Sequence, residues 1–138
     1  MSSYNQQFRQ EMDAIAPNLW EHPENIVTLP ISAYNQALDM LVERACQAQN
    51  ISNITLAREA LAKIPSGWLS QHLGAIAEAR LDLTDPWEYQ RLGELYGHLS
   101  PQLFRNLIAR GQASDNSEIV EAAQNLMDAF VRGTLPFL

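Results

Sequence analysis

The chain has 138 residues, 46% of them apolar and 18% charged, with one cysteine and a formal charge of -7. That length and apolar content suffice for one folded domain with its own core, so neither a disulfide framework nor a structural metal is needed to hold it. Nine basic against sixteen acidic residues argue against nucleic acid and anionic membranes, whose binding draws on clustered Lys and Arg; a basic protein partner stays open, although such a charge also serves solubility.

Apolar residues three or four apart dominate the chain and predict helices throughout. Tyr4, Phe8, Met12 and Ile15 form a first amphipathic stretch that Pro17 stops. Residues 17–30 carry three prolines and no clear period; they read as an ordered arm whose Trp20 docks on the body, with a brief extended piece at Ile26-Val27-Thr28-Leu29. Ser32 suits the N-cap of the next helix, which turns Tyr34, Leu38, Leu41, Val42 and Ala45 inward. A shorter helix after Asn50 buries Ile54, Ala57, Leu61 and Ile64 and ends at Pro65. Ser66 is the expected cap of a helix running to about Arg80, with Leu69, Leu73, Ile76 and Trp68 packing inward.

Thr84-Asp85-Pro86-Trp87-Glu88 is a strong helix start: Asp85 can cap, Pro86 fits the first helical position, and Glu88 can return the capping-box bond. Tyr89, Leu92, Leu95, Tyr96 and Leu99 form the core face that follows. Ser100-Pro101 repeats the start signal, Leu103, Phe104, Leu107 and Ile108 face inward, and Gly111 is the expected stop. A last helix opens near Ser114-Asp115 and presents Ile119, Ala123, Leu126, Met127 and Phe130 before Gly133. The sum is about seven helices in a single all-α domain spanning 1–138, with residues 1–30 as a helix plus arm and 31–138 as the body.

Cys46, alone inside an apolar helical pattern, reads as a small buried side chain and places the chain in a reducing cytosol. Residues 1–7 lack the basic start and apolar run of a secretory signal, and no apolar run reaches about eighteen residues, so neither export nor membrane insertion is expected.

Two stretches repeat a grammar of short helix, cap and long helix. Leu61 to Leu69 is echoed by Leu95 to Leu103, and Thr84 to Tyr89 by Ser114 to Ile119, at separations of about 34 and about 30 residues, the range in which helix pairs stack. The run Ser114-Asp115-Asn116-Ser117-Glu118-Ile119-Val120-Glu121-Ala122-Ala123-Gln124-Asn125-Leu126 resembles the second helix of a HEAT repeat, whose pattern runs acidic, polar, Glu, Val, Arg, Glu, Ala, Ala and then Leu. The likeness centres on 114–131 and extends loosely over 57–131; it departs at Val120, where the family commonly carries arginine. What it implies is antiparallel helix pairs in a HEAT-like right-handed α-α superhelix or an irregular helical bundle, binding a protein on the inner face of the stack.

At 100 degrees per residue, Trp87, Arg91, Glu94 and His98 fall within a sector of about 60 degrees, away from the core face of their helix. They form the candidate binding stripe, because Trp and Arg are the types enriched where binding energy concentrates. The plainer alternative is that Trp87 covers a neighbouring helix or the arm while the other three are solvated. Glu94 and His98, even joined by His72, lack the setting of a catalytic zinc site, and no metal or cofactor is expected. No nucleophile elbow or phosphate loop occurs, and the paired acids Asp82 with Asp85 and Glu118 with Glu121 fit helix starts, so no catalytic residue is assigned.

Gly74, Gly93 and Gly97 lie inside predicted helices, where each costs about 1 kcal/mol relative to Ala. Either close backbone packing or a groove for a ligand or partner helix must repay that. The apolar end Leu135-Pro136-Phe137-Leu138 either docks on the last helices or joins a second copy, which makes Leu135, Phe137 and Leu138 the candidates for a homo-oligomer contact. The expectation is a small cytosolic, non-catalytic interaction module. An acidic inhibitor of a basic partner and a helical-repeat enzyme are the alternatives.

Overall fold

The computed structural model describes residues 3–136, with side chains for residues 5–136. In chain order it comprises α1 (Ser3–Ile15), a 3-10 helix (Pro23–Thr28), α2 (Ile31–Cys46), α3 (Ile51–Ala62), α4 (Ser66–Arg80), α5 (Pro86–Leu99), α6 (Pro101–Gln112) and α7 (Ser117–Arg132). No strand occurs among the described residues, so the all-α expectation and the count of about seven helices hold. The side chain of Tyr4 lies outside the described residues, as do Phe137 and Leu138.

Helix ends depart from the sequence reading where local chemistry offered a different partner. Residues expected to be extended near Ile26 wind instead into the 3-10 helix, whose first residue Pro23 has no N–H to leave unpaired and which buries Ile26. Pro30 and Pro65, not Ser32 and Ser66, occupy the cap positions of α2 and α4. Each proline holds its own backbone extended, with φ -59 and -54, and the helix starts one residue later. Asn50, Asp85, Ser100 and Asn116 do cap, each side chain accepting an N–H of the first turn. Gly133 ends α7 in the left-handed region at φ 71, which its missing Cβ allows. Gly111 is no stop: α6 continues through it to Gln112.

The helices contact one another in a regular order. Each packs on its next-but-one neighbour: α1 on α3, α2 on α4, α3 on α5, α4 on α6 and α5 on α7. Odd helices therefore make one layer and even helices the other, with α2 and α5 also touching at the centre. Within the odd layer α3, α5 and α7 run parallel, the turn before α3 meeting the start of α5 where Gln47 and Gln49 stand beside Asp85 and Glu88. Arg58 of α3 reaches Glu94 of α5, a Cβ on Gly93 of α5 would meet Leu126 of α7, and Asn116 before α7 donates to the Thr84 carbonyl before α5 at 3.5 Å. One contiguous core runs from Phe8 to Leu135. The arm belongs to it through Trp20, which meets Phe8 edge-on at 5.3 Å and donates its backbone N–H to Asp13. The folded chain exposes 7243 Å², close to the roughly 7,200 Å² that mass alone predicts for one compact unit.

Burial leaves a mark on titration. The Cys46 thiol, enclosed by the core, is pushed from 9.0 up to about 12, and the Tyr89 phenol from 10.0 to about 12, both chiefly by desolvation; Tyr96 moves the same way. These groups favour folding while neutral. Their contribution is therefore complete below pH 9 and is lost as pH rises from about 9 through 12. Urea midpoints measured across that window should fall, and Cys46→Ala should remove the earliest part of the fall. Midpoints that stay level to pH 12 would contradict the enclosed thiol and phenols.

Candidate functional site

The start of α5 is built by its cap. Asp85 accepts the Trp87 N–H at 2.9 Å, and Pro86 occupies the first helical position without an N–H to satisfy. This sets Trp87 on the first turn with its indole turned outward, 55% exposed. Arg91, one turn on, lays its guanidinium over the ring at 4.3 Å from the centroid. One of its terminal nitrogens, Nη1, is enclosed there without a hydrogen-bond partner. The two side chains therefore present one flat, amphipathic unit.

An open cleft adjoins it, walled by Gln47 and Gln49 from the α2–α3 turn and by Asp85 and Glu88 from α5. Glu88 does not close the expected capping box. It accepts from Gln47 Nε2 at 2.6 Å and from the Asp82 N–H at 3.4 Å, while Gln47 also donates to the Arg80 carbonyl at 3.2 Å. With the Asp85 N–H already donating to the Asp82 carbonyl, Glu88 takes the Gln47 amide instead, and the bond ties the end of α2 to the start of α5.

The lower half of the stripe is tied to other parts of the chain. Glu94 is 9% exposed and pairs at 3.0 Å with Arg58, whose side chain has no exposure at all. Arg58 also donates to the Arg91 carbonyl at 3.4 Å and the Pro136 carbonyl at 3.5 Å. His98 sits 2.8 Å from the Leu135 carbonyl through Nε2; a carbonyl only accepts, so that nitrogen carries the proton. Of the four stripe residues, Trp87 and His98 are exposed, Arg91 is half-buried and Glu94 is buried; Glu94 pairs with α3 and His98 holds the C-terminal segment. Arg58 went unremarked in the sequence, yet its place was readable: it stands four residues after Ile54 and three before Leu61, on the inward face of α3.

The three helical glycines divide in the same way. A Cβ on Gly93 would come within 2.9 Å of Leu126 Cδ2, and one on Gly97 would overlap Leu135, so both serve close packing. Leu135 is buried in the slot over Gly97 and is therefore occupied within its own chain. Gly74 differs. Its Cβ would make ordinary contact with Leu103 at 3.6 Å, and it lines a shallow groove with Leu83, Leu92 and Tyr96, the Glu78–Arg110 ion pair standing at the rim.

His72 stacks on Trp68 at 4.1 Å and donates Nδ1–H to the Trp68 carbonyl, well apart in contacts from Glu94 and His98. Among the described residues no three His, Cys, Asp or Glu side chains are grouped to hold a metal ion, and no helix is long and apolar enough to cross a membrane. Compared with family models, curated proteins and solved structures, the chain matches none.

Proposed function

We propose that this chain is a small, non-catalytic helical module of the cytoplasm that grips a protein partner at the Trp87–Arg91 edge of α5. The observation that carries the reading is the indole, more than half exposed, capped into position by Asp85 and covered on one face by Arg91. An exposed tryptophan adds little to the stability of its own fold, and a Trp–Arg pair is the side-chain chemistry in which binding energy concentrates. The resemblance of 114–131 to a HEAT repeat supports the reading, as does the packing of odd helices on odd and even on even, the pattern of stacked helix pairs. Cys46, single in the chain and enclosed by the core, suits a reducing compartment.

The test compares wild type with Trp87→Ala and Arg91→Ala in capture from a lysate of the native host, with melting temperatures measured in parallel. Trp87→Ala should weaken capture by about 30-fold or more, the effect of losing roughly 2 kcal/mol at a hot spot. Its melting temperature should stay within a few degrees of wild type. Unchanged capture with a large loss of stability would overturn the proposal and make Trp87 a structural cover.

A further inference from the structure

The parallel run of α3, α5 and α7 brings their N-terminal ends to one edge of the odd layer. On that edge stand three exposed apolar side chains: Ile51, the first residue of α3, at 67%, Trp87, the second of α5, at 55%, and Val120, in the first turn of α7, at 37%. Packed helices lie about 8–10 Å apart, so the row spans about 20 Å. A single tryptophan on a surface is ordinary; an apolar row across three adjacent helix starts is an unpartnered face.

The charges around this row are one-sided. Asp82, Asp85, Glu88, Asp115 and Glu118 belong to the starts of α5 and α7 and the turns before them, and none lies within ion-pair distance of a cation among the described residues. The cations delivered to the same edge are already spent. Arg80, at the end of α4, pairs with Asp39 and Glu43, and Arg110, near the end of α6, pairs with Glu78. Arg91 adds one positive charge but lies flat on the indole. Antiparallel pairing of the layers thus sends arginines to this edge already neutralised, and the unpaired carboxylates set its sign.

We infer that this edge docks a basic protein segment with apolar anchors: its aliphatic or aromatic side chains lie along Ile51, Trp87 and Val120, and its Lys and Arg side chains meet the flanking carboxylates. The inference rests on the interaction-module reading above and narrows it to a partner of stated chemistry. An acidic segment would meet five carboxylates that have no cation partner among the described residues, and a polar one would leave the apolar row uncovered.

The probe is a synthetic amphipathic peptide of about 16 residues, long enough to span the row as a helix, built from Leu and Lys, beside a matched Leu and Glu peptide. Binding to the full chain is followed by anisotropy at about 20 mM and about 200 mM salt. The Lys peptide should bind, weaken with salt, and lose about tenfold in affinity both in Trp87→Ala and in the triple variant Asp85→Asn, Asp115→Asn, Glu118→Gln. Asparagine still caps, so the triple variant keeps the start of α5. A control triple, Glu24→Gln, Glu59→Gln, Asp128→Asn, removes the same net charge away from the edge and should bind as wild type does. Equal loss in the two triples would mean attraction to net charge alone and overturn the inference, as would binding of the Glu peptide through Trp87 or no binding of the Lys peptide. If lysate capture still depends on Trp87 while the Lys peptide fails, the basic-partner inference falls and the module reading stands. If capture is also independent of Trp87, both fall.

Discussion

Arg58→Ala should destabilise the protein by about 3–5 kcal/mol, the cost of removing one partner from a buried ion pair. The guanidinium is fully enclosed between α3 and α5 and holds Glu94, itself 9% exposed, at 3.0 Å. Without it the carboxylate keeps the Gln90 amide at 3.3 Å and loses the cation that made burial tolerable. The Arg91 and Pro136 carbonyls lose a donor as well, so the C-terminal segment should loosen together with the layer. The melting temperature should fall on the order of 10–20 °C. Replacing both charges, Arg58→Met with Glu94→Leu, should return stability to within about 1 kcal/mol of wild type or better, since the desolvation of two charges is then never incurred. Urea unfolding of the three proteins checks this. A single variant that loses less than about 1 kcal/mol would mean that water reaches the pair.

The same pair shows what a linear reading can and cannot carry. Helix number, order and core faces were legible because burial writes a period into each helix separately: Leu38, Leu41 and Val42, or Leu92, Leu95 and Tyr96, need no knowledge of their neighbours. Caps were legible at Asn50, Asp85 and Ser100, where the side chain accepts an N–H two or three residues on; Asn116 caps α7 in place of the expected start near Ser114-Asp115, and Ser32 and Ser66 lose the role to a proline one or two positions earlier. The candidate stripe was half legible. Angular position alone set Trp87, Arg91, Glu94 and His98 together, and it described the outward indole with Arg91 laid across it. For Glu94 and His98 the deciding partners, Arg58 and the Leu135 carbonyl, lie thirty-six and thirty-seven residues away in the chain. No local pattern announces such a partner. The acidic edge was illegible for the same reason, because the net charge of -7 does not say which arginines are consumed in pairs.

Gly111→Ala should be nearly as damaging as loss of Arg58, at about 2–4 kcal/mol, by overpacking and not by a lost charge. Helix propensity favours the change, since alanine gains about 1 kcal/mol over glycine inside a helix. Packing outweighs it. The new methyl would stand 2.7 Å from Tyr89 Cζ and 2.9 Å from Ala123 Cβ, and still closer to the Tyr89 hydroxyl. Neither neighbour can yield cheaply. Ala123, on α7, has no torsion to turn, and Tyr89 is buried with its hydroxyl donating to the Leu107 carbonyl at 2.8 Å, so sliding the ring breaks a buried hydrogen bond. At Gly111, α6 thus packs against Tyr89 of α5 and Ala123 of α7 with no room for a side chain, and the missing Cβ sets the local spacing of the three helices. Adding Tyr89→Phe removes the nearest atom, so the double variant should lose less than the sum of the single losses, with a coupling of about 1 kcal/mol. Gly67→Ala meets no atom within 4 Å and serves as the control, neutral or slightly stabilising. Denaturant midpoints for the four variants separate packing from propensity: if Gly111→Ala matches Gly67→Ala, propensity governs and the three helices have room to part.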